Sequence, residues 1–282
     1  KDFIVEEIDK KKEELEEQEG FEVDIDITAP GEEAEVGHLH PLTRTKRKAR
    51  SIFKQLGFSV LEGPEMETEW YNFDALNIPE NHPARDMWDT FFINQPADEE
   101  QGRSLLRTHT SPMQVRYMEQ NNPPLRIIVP GRCFRHEKPD ASHDIQFDQI
   151  EGLMVDEDVS VAHFKAVMER FLDRFFKKDV ESRIRPSYFP FTEPSAEMDI
   201  SCTLCGGEGC SICKYTGWVE ILGCGMVDPA VLENCKIDSE KYTGFAFGMG
   251  IERIAMLKYQ INDIRLFFEN DVRFLEQFKA EN

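Results

Sequence analysis

No apolar run in the 282-residue chain approaches the ~18 residues that a membrane-spanning helix needs, and the amino end lacks the basic-then-apolar pattern of a secretory signal. A soluble, cytoplasmic protein with no membrane partner is therefore expected. Positive charge is also scarce: 33 Lys and Arg stand against 54 Asp and Glu, for a net charge of −21. That balance argues against a chain that grips phosphate backbones over its whole surface, because such binding relies on Lys and Arg. Residues 1–36 hold −11 of the deficit and the remaining 246 residues −10. Contact with a polyanion is expected only through a local patch or through a partner chain. The densest basic run, Thr43 to Arg50 (TRTKRKAR), is either such a patch or a solvated helix face.

What is present suffices for one large domain or two small ones, with 40% hydrophobic residues to build a core. The chain opens on Lys1 rather than Met, as a fragment of a longer protein would. Residues 2–19 are rich in Glu and Lys, carry Ile4, Ile8 and Leu15 at heptad-compatible spacing and stop at Gly20, which predicts a helix. An acidic strand and linker from Phe21 to Glu35 follows, with a turn at Pro30-Gly31, so the boundary divides 1–36 from a main domain at 37–282. There Ala49, Ile52, Phe53 and Leu56 recur at i, i+3, i+4 and i+7 before Gly57, which predicts a helix with a glycine stop. A strand from Phe58 to Leu61 then leads into Gly63-Pro64.

Gly131 to Gly152 is the most informative stretch. Leu125–Glu137 and Ile145–Val155 have strand character and flank a Pro-, Asp- and Ser-containing loop at 138–144, predicting an antiparallel hairpin with a long tip. Strand side chains alternate, so Cys133, Arg135 and Glu137 share one face, as do Phe147, Gln149 and Glu151. Such a gathering of a guanidinium, polar or acidic groups and a ring is costly unless a ligand uses it. Upstream, Thr110-Ser111-Pro112 reads as a helix start with Ser111 as N-cap, placing His109, Ser111 and Gln114 at a positively polarised terminus. A capping Ser needs no further function.

Ser160 begins an amphipathic helix with Val161, Phe164, Met168, Phe171, Leu172 and Phe175 inward, a core stripe. Arg183 to Glu193 reads as one strand, with Phe189, Phe191 and Glu193 on one face if the prolines keep the register. Two phenylalanines facing a cavity suit an aromatic ligand, each edge-to-face pair adding ~0.5–1.5 kcal/mol beyond burial; core packing is the alternative. Trp218 to Met226 is a further strand, with Glu220, Leu222 and Cys224 alternating against Ile221, Gly223 and Gly225.

Four of the seven cysteines, Cys202, Cys205, Cys210 and Cys213, form two C-x2-C knuckles within twelve residues, and Gly206, Gly207 and Gly209 let the chain turn tightly between them. In a reducing compartment this spacing predicts a structural zinc site with four tetrahedral cysteine ligands, with redox pairs or free thiols as the alternative. Cys133, Cys224 and Cys235 are isolated and expected to be buried.

Phe134-Arg135-His136-Glu137 and its hairpin resemble motif 2 of the class II aminoacyl-tRNA synthetases. Three further words, LRTHTSPMQ (106–114), YFPFTEPS (188–195) and GFAFGMGIER (244–253), resemble the bacterial-type α-subunit family of phenylalanyl-tRNA synthetases, and the resemblance runs in order from about Gly37 to Phe278. It implies an α+β fold, a class II antiparallel sheet flanked by helices, here with a short N-terminal helical tail and the four-cysteine zinc knuckle as an insertion at 202–213. It implies ATP- and Mg2+-dependent activation of L-phenylalanine and transfer to the 3′-end of tRNA(Phe), within an (αβ)2 heterotetramer with a β subunit. Helix, strand and Pro64 resemble motif 1, a subunit interface in this class. Residues 2–19 would be the end of a tRNA-binding arm, or else a solvated tail.

The resemblance also assigns roles. Arg135 would hold the α-phosphate and the amino-acid carboxylate, and Arg253 the γ-phosphate. Phe147 would stack on adenine and Glu137 read its amino group. Gln149 and Glu151 would bind the substrate ammonium, and His109, Ser111 and Gln114 the amino acid and its adenylate. Trp88, in the loop-rich stretch 72–90, would lie against the substrate, with Phe189 and Phe191 around its ring and Ala246 as the floor. Glu193 and Glu220 are the candidates for Mg2+, with exposed strand glutamates as the alternative. Asp148 stands where His is more often expected, and it points away from Gln149 and Glu151. Many members lack the four cysteines. Two other readings stay open: a class II enzyme of different amino-acid choice, and a synthetase-like regulatory or zinc-dependent binding protein. Intact Arg135, Glu137, Glu193 and Arg253 argue against the second.

Overall fold

The computed structural model describes residues 2–18, 31, 37–176, 180–210 and 213–278. The chain divides into two compact units, Lys1–Gly37 and His38–Asn282. In the first, helix α1 (Asp2–Gln18) leaves Phe3, Ile4, Val5, Ile8 and Leu15 exposed. The strand, linker and turn expected over 21–35 lie outside the described residues, Gly31 apart. Among the described residues no helix is long and apolar enough to cross a membrane.

The second unit begins with α2 (Pro41–Gln55), β1 (Ser59–Val60), β2 (Met66–Thr68), the single-turn helices α3 (Glu69–Asn72) and α4 (Ala84–Met87), β3 (Ser104–Leu106) and α5 (Ser111–Gln120). The hairpin β4 (Leu125–Phe134) and β5 (Gln146–Asp156) precedes α6 (Val161–Phe176). Then come β6 (Ser182–Phe189), β7 (Thr192–Ser201), β8 (Trp218–Val227), α7 (Pro229–Asn234), β9 (Thr243–Gly250), α8 (Ile251–Tyr259) and α9 (Val272–Leu275).

Seven strands form one sheet in the order β1-β4-β5-β9-β8-β7-β6, antiparallel throughout except for the β1–β4 pair. The period of two gives each central strand two different faces. Ile128, Ile150, Met154, Phe245, Phe247 and Met249 turn into a core shared with Ala49, Ile52 and Phe53 of α2, Phe164, Met168 and Phe171 of α6, and α8. Val129, Leu153, Val155 and Ala246 belong to the opposite side, with Val115 and Met118 of α5 and Val231 and Leu232 of α7. Close approach between β5 and β9 requires glycine at 152, where an added Cβ would lie 2.3 Å from the Phe247 ring.

Several local expectations change. Arg183 to Glu193 is not one strand: β6 ends at Phe189, the chain turns through Pro190 and Phe191, and β7 starts at Thr192 directly opposite Phe189. Helix α5 starts at Ser111, with Thr110 in the cap position and no side-chain cap bond, because the Thr110 hydroxyl donates to the Val129 carbonyl at 3.0 Å, while the Ser111 hydroxyl donates to Glu151. Val161 is exposed rather than inward. β4 stops at Phe134 because the amide of His136 turns to the Asp89 carbonyl, 2.7 Å away. A bulge leaves Ile221 unmatched between the Met198–Leu222 and Asp199–Glu220 pairs, which breaks the expected alternation along β8. The basic run of α2 is only in part a solvated face, with Arg47 exposed. Arg44 caps the Phe278 carbonyl, Lys48 the Phe175 carbonyl, Lys46 pairs with Asp148 and Arg50 with Glu62.

Candidate active site

On the β5–β9 face lies a cavity of about 570 Å³, within the range typical of small-molecule sites. The strand order explains it: β9 inserts beside β5, so the hairpin carrying Arg135 and the strand leading to Arg253 are neighbours. Glu151 lies opposite Gly248 and Leu153 opposite Ala246. Trp88, His109, Ser111, Gln114, Arg135, Glu137, Phe147, Gln149, Glu151, Phe189, Phe191, Glu220, Ala246 and Arg253 all line this one cavity.

One end is aromatic. Phe189 and Phe191, joined by the β6–β7 turn, stack with ring centroids 5.8 Å apart. Trp88 continues the series, 6.1 Å from Phe191 and 6.1 Å from Phe73. Gly223 opposite this end makes room, since a Cβ there would sit 2.7 Å from the Phe189 ring. His109 meets Trp88 edge-on at 5.0 Å. Its ring is buried, and neither nitrogen makes a full hydrogen bond among the described residues beyond a weak approach to the Asn72 backbone. Burial, reinforced by Arg135, pushes its pKa down to about 3, so the imidazole is neutral at physiological pH.

The middle is a buried carboxylate cage. Glu151 accepts from the Ser111 hydroxyl, from the Thr110 amide at 3.0 Å and from the Gln114 side-chain amide at 3.5 Å. Burial raises its pKa, while Ser111, the Thr110 amide, Arg135 and Arg107 oppose that rise. Beside it the Cys133 thiol donates to Gln149 Oε1 at 3.2 Å. The start of α5 thus holds a buried carboxyl group that lines the cavity.

The other end is polar and charged. Arg135 donates to the Thr108 carbonyl at 3.2 Å, lies 3.8 Å from Glu137 and covers the Phe147 ring at 4.8 Å. Arg253 donates from Nε to the Glu220 carbonyl at 3.3 Å. Burial and the nearby Glu197 raise the pKa of Glu220, against the pull of Arg253.

Glu193 is exposed beyond the turn and is not among the residues that line the cavity, whereas Glu220 is. A register shift between Thr192 and Ser195 separates Glu193 from the regular part of the β7–β8 ladder that carries Glu220. Glu197, on the same strand, does line the cavity, and its carboxylate accepts from Arg185 at 2.8 Å and from the Ser187 hydroxyl at 3.0 Å.

Sequence reasoning also treated Asp148 only as packing. It is buried, pairs with Lys46 at 2.7 Å, and its amide donates to both oxygens of Glu252 at 2.9 and 3.1 Å. This chain of contacts ties α2, the hairpin and α8 together behind Arg253.

The four knuckle sulfurs lie within 4.8 Å of one another. Cys202–Cys210 and Cys210–Cys213 are 3.8 Å apart and Cys205–Cys213 3.9 Å. Tetrahedral bonds of about 2.3 Å to a central zinc would give sulfur–sulfur edges of about 3.8 Å, so the donors fit a metal of that size. Amides of Gly209 and Cys210 donate to Cys205 and Cys213 Sγ at 3.1 and 3.0 Å. Gly206, Gly207 and Gly209 all take positive φ. The knuckle is fastened to the Arg253 helix by Thr203, whose hydroxyl donates to the Leu257 carbonyl at 2.9 Å. Cys133, Cys224 and Cys235 are buried, as expected.

Comparison with known proteins agrees with this geometry. Residues 24–278 match the family model described as tRNA synthetases class II core domain (F). The phenylalanine–tRNA ligase α subunit of Thioalkalivibrio sulfidiphilus is 56% identical over 255 residues, covering 90% of this chain and 73% of that protein. Its counterpart in Caldicellulosiruptor saccharolyticus is 53% identical over 283 residues, covering 99% and 81%. Among solved structures, the pyrrolysyl-tRNA synthetase of Desulfitobacterium hafniense aligns with a TM-score of 0.59 at 18% identity, over 82% of this chain and 74% of that one, a likeness of fold alone. The chain therefore belongs to the class II tRNA synthetase core-domain family and, within it, to the phenylalanine–tRNA ligase α subunits.

Proposed function

We propose that this chain is the catalytic α subunit of an (αβ)2 phenylalanine–tRNA ligase. It activates L-phenylalanine with ATP to phenylalanyl-adenylate and passes the aminoacyl group to the 3′-end of tRNA(Phe). One observation carries the reading: a single cavity is lined by two guanidiniums, Arg135 and Arg253, by the rings of Phe189 and Phe191 and by the small Ala246.

The substrate carboxylate attacks the α-phosphorus of ATP in line, and the bond to the β-phosphate oxygen breaks to release pyrophosphate. Two anions must approach, so fixed positive charge contributes most of the catalysis. Arg135 holds both the carboxylate and the α-phosphate, and Arg253 binds the γ-phosphate. Phe147 stacks on adenine and Glu137 reads its amino group. Glu151 and Gln149 fix the ammonium, while neutral His109, Ser111 and Gln114 orient the carboxyl end. Phe189, Phe191 and Trp88 enclose the ring. Glu220 with Glu197 would hold Mg2+, which when bound neutralises the β- and γ-phosphates. Zinc in the four-cysteine knuckle would be structural. The chain's shortage of positive charge assigns most of the tRNA contact to the β partner.

The test is ATP–pyrophosphate exchange by the chain co-purified with its β partner, across all amino acids. Phenylalanine should support the fastest exchange. Preference for another amino acid, or no exchange with any, would overturn the proposal.

A further inference from the structure

The knuckle does more than brace the fold. It connects β7 to β8, and the cavity-lining Glu197 and Glu220 stand near the ends of those strands that it joins. Its last residues run Cys213-Lys214-Tyr215, and Lys214 and Tyr215 both take the left-handed conformation, at φ 51° and 60°. Two consecutive non-glycine residues rarely do so without being held there. Here the Tyr215 amide donates to the Cys210 carbonyl at 2.8 Å and the Thr216 amide to the Cys213 carbonyl at 3.0 Å. Lys214, exposed at this kink, lines the same cavity as Glu220 and Arg253.

Charge makes this placement consequential. Among the described lining residues only Arg135, Arg253 and Lys214 carry a permanent positive charge, against six carboxyl groups. A nucleoside triphosphate bound there needs every cation the wall offers. The ATP-binding reading gives the α-phosphate to Arg135, which leaves Arg253 and Lys214 as the cations for the β,γ-phosphates.

We infer that Lys214, delivered by the Cys knuckle, is a third cationic contact to the nucleotide and binds the β,γ-phosphates that leave as pyrophosphate. The inference rests on the ATP-binding reading above and adds a residue that family motifs do not supply.

The test measures binding of ATP, pyrophosphate, AMP and phenylalanine, each with magnesium chloride, to the αβ complex by calorimetry. Wild type is compared with Lys214→Gln and Lys214→Arg, which keep the same backbone demands. Lys214→Gln should weaken ATP and pyrophosphate about tenfold, in the range of one charge-assisted hydrogen bond, and leave AMP and phenylalanine unchanged. Lys214→Arg should restore most of the loss. Unchanged ATP affinity in Lys214→Gln, equal weakening of AMP, or a wild type that does not bind ATP would each overturn it. A wild type that binds ATP and shows the Lys214 effect, yet fails to exchange pyrophosphate with phenylalanine, would sink the substrate assignment and leave Lys214 standing.

Discussion

Ser111 and Glu151 meet across the start of α5 and the middle of β5: the hydroxyl donates to Oε2 while the Thr110 amide takes Oε1. The expected capping serine is thus spent on holding a buried carboxylate in the cavity. Ser111→Ala should leave Glu151 short of one hydrogen bond, costing about 1–3 kcal/mol in binding of the substrate ammonium. The KM for phenylalanine in pyrophosphate exchange should rise roughly tenfold or more, with the KM for ATP little changed.

Ala246 lies opposite Leu153 and Gly225 and lines the aromatic end. Ala246→Val adds two methyl groups to the floor and should raise the KM for phenylalanine at least tenfold, since overpacking costs about 1–3 kcal/mol. Smaller aliphatic amino acids should lose less, as exchange kinetics across substrates would reveal.

An apolar cleft discriminates weakly against an added hydroxyl. Tyrosine should be activated with kcat/KM about 100-fold below phenylalanine, rather than the 10⁴-fold that a dedicated hydrogen-bonding site achieves. The β partner is then expected to supply editing, and deacylation of tyrosyl-tRNA by the complex measures it.

Glu252 has a pH signature. Burial, with Asp148 beside it, pushes its pKa up to about 8, while Lys46 pulls it down. The folded chain therefore keeps a proton that the unfolded chain has released, and stability falls as pH rises from about 4.5 to about 8. Glu252→Gln keeps the shape and an acceptor for the Asp148 amide without the ionisation. Relative to wild type, its urea midpoint should improve between pH 5 and pH 8; parallel midpoints across that range would contradict this account.

Cys205→Ser with Cys210→Ser removes two of the four sulfurs. Bound metal should fall from one per chain to none, and the melting temperature should drop by several degrees as the Thr203–Leu257 tie to α8 loosens. Elemental analysis with thermal melts checks both.

The sequence was most legible where periodicity and chemistry coincide. Period two along Phe147, Gln149 and Glu151 placed them on one face, and the paired C-x2-C spacing brought four sulfurs together. It was least legible where tertiary contacts override local pattern. The turn at Pro190-Phe191 is hidden in an aromatic run, and missing it gave Glu193 a place on the cavity face that Glu197 occupies. The bulge at Ile221 lies against the neighbouring strand β7, and at the start of α5 the hydroxyls of Thr110 and Ser111 go to Val129 and Glu151 instead of to the helix. The basic run of α2 gave no hint that its charges are taken by Asp148, Glu62 and two backbone carbonyls.

The most direct measurement is a crystal structure of the αβ complex with a non-hydrolysable phenylalanyl-adenylate analogue. The ring should lie within about 4 Å of Phe189, Phe191 and Ala246, with the phosphate at Arg135 and adenine against Phe147. An analogue bound elsewhere, or one with its ring at Arg253 and its adenine against Ala246, would contradict the account.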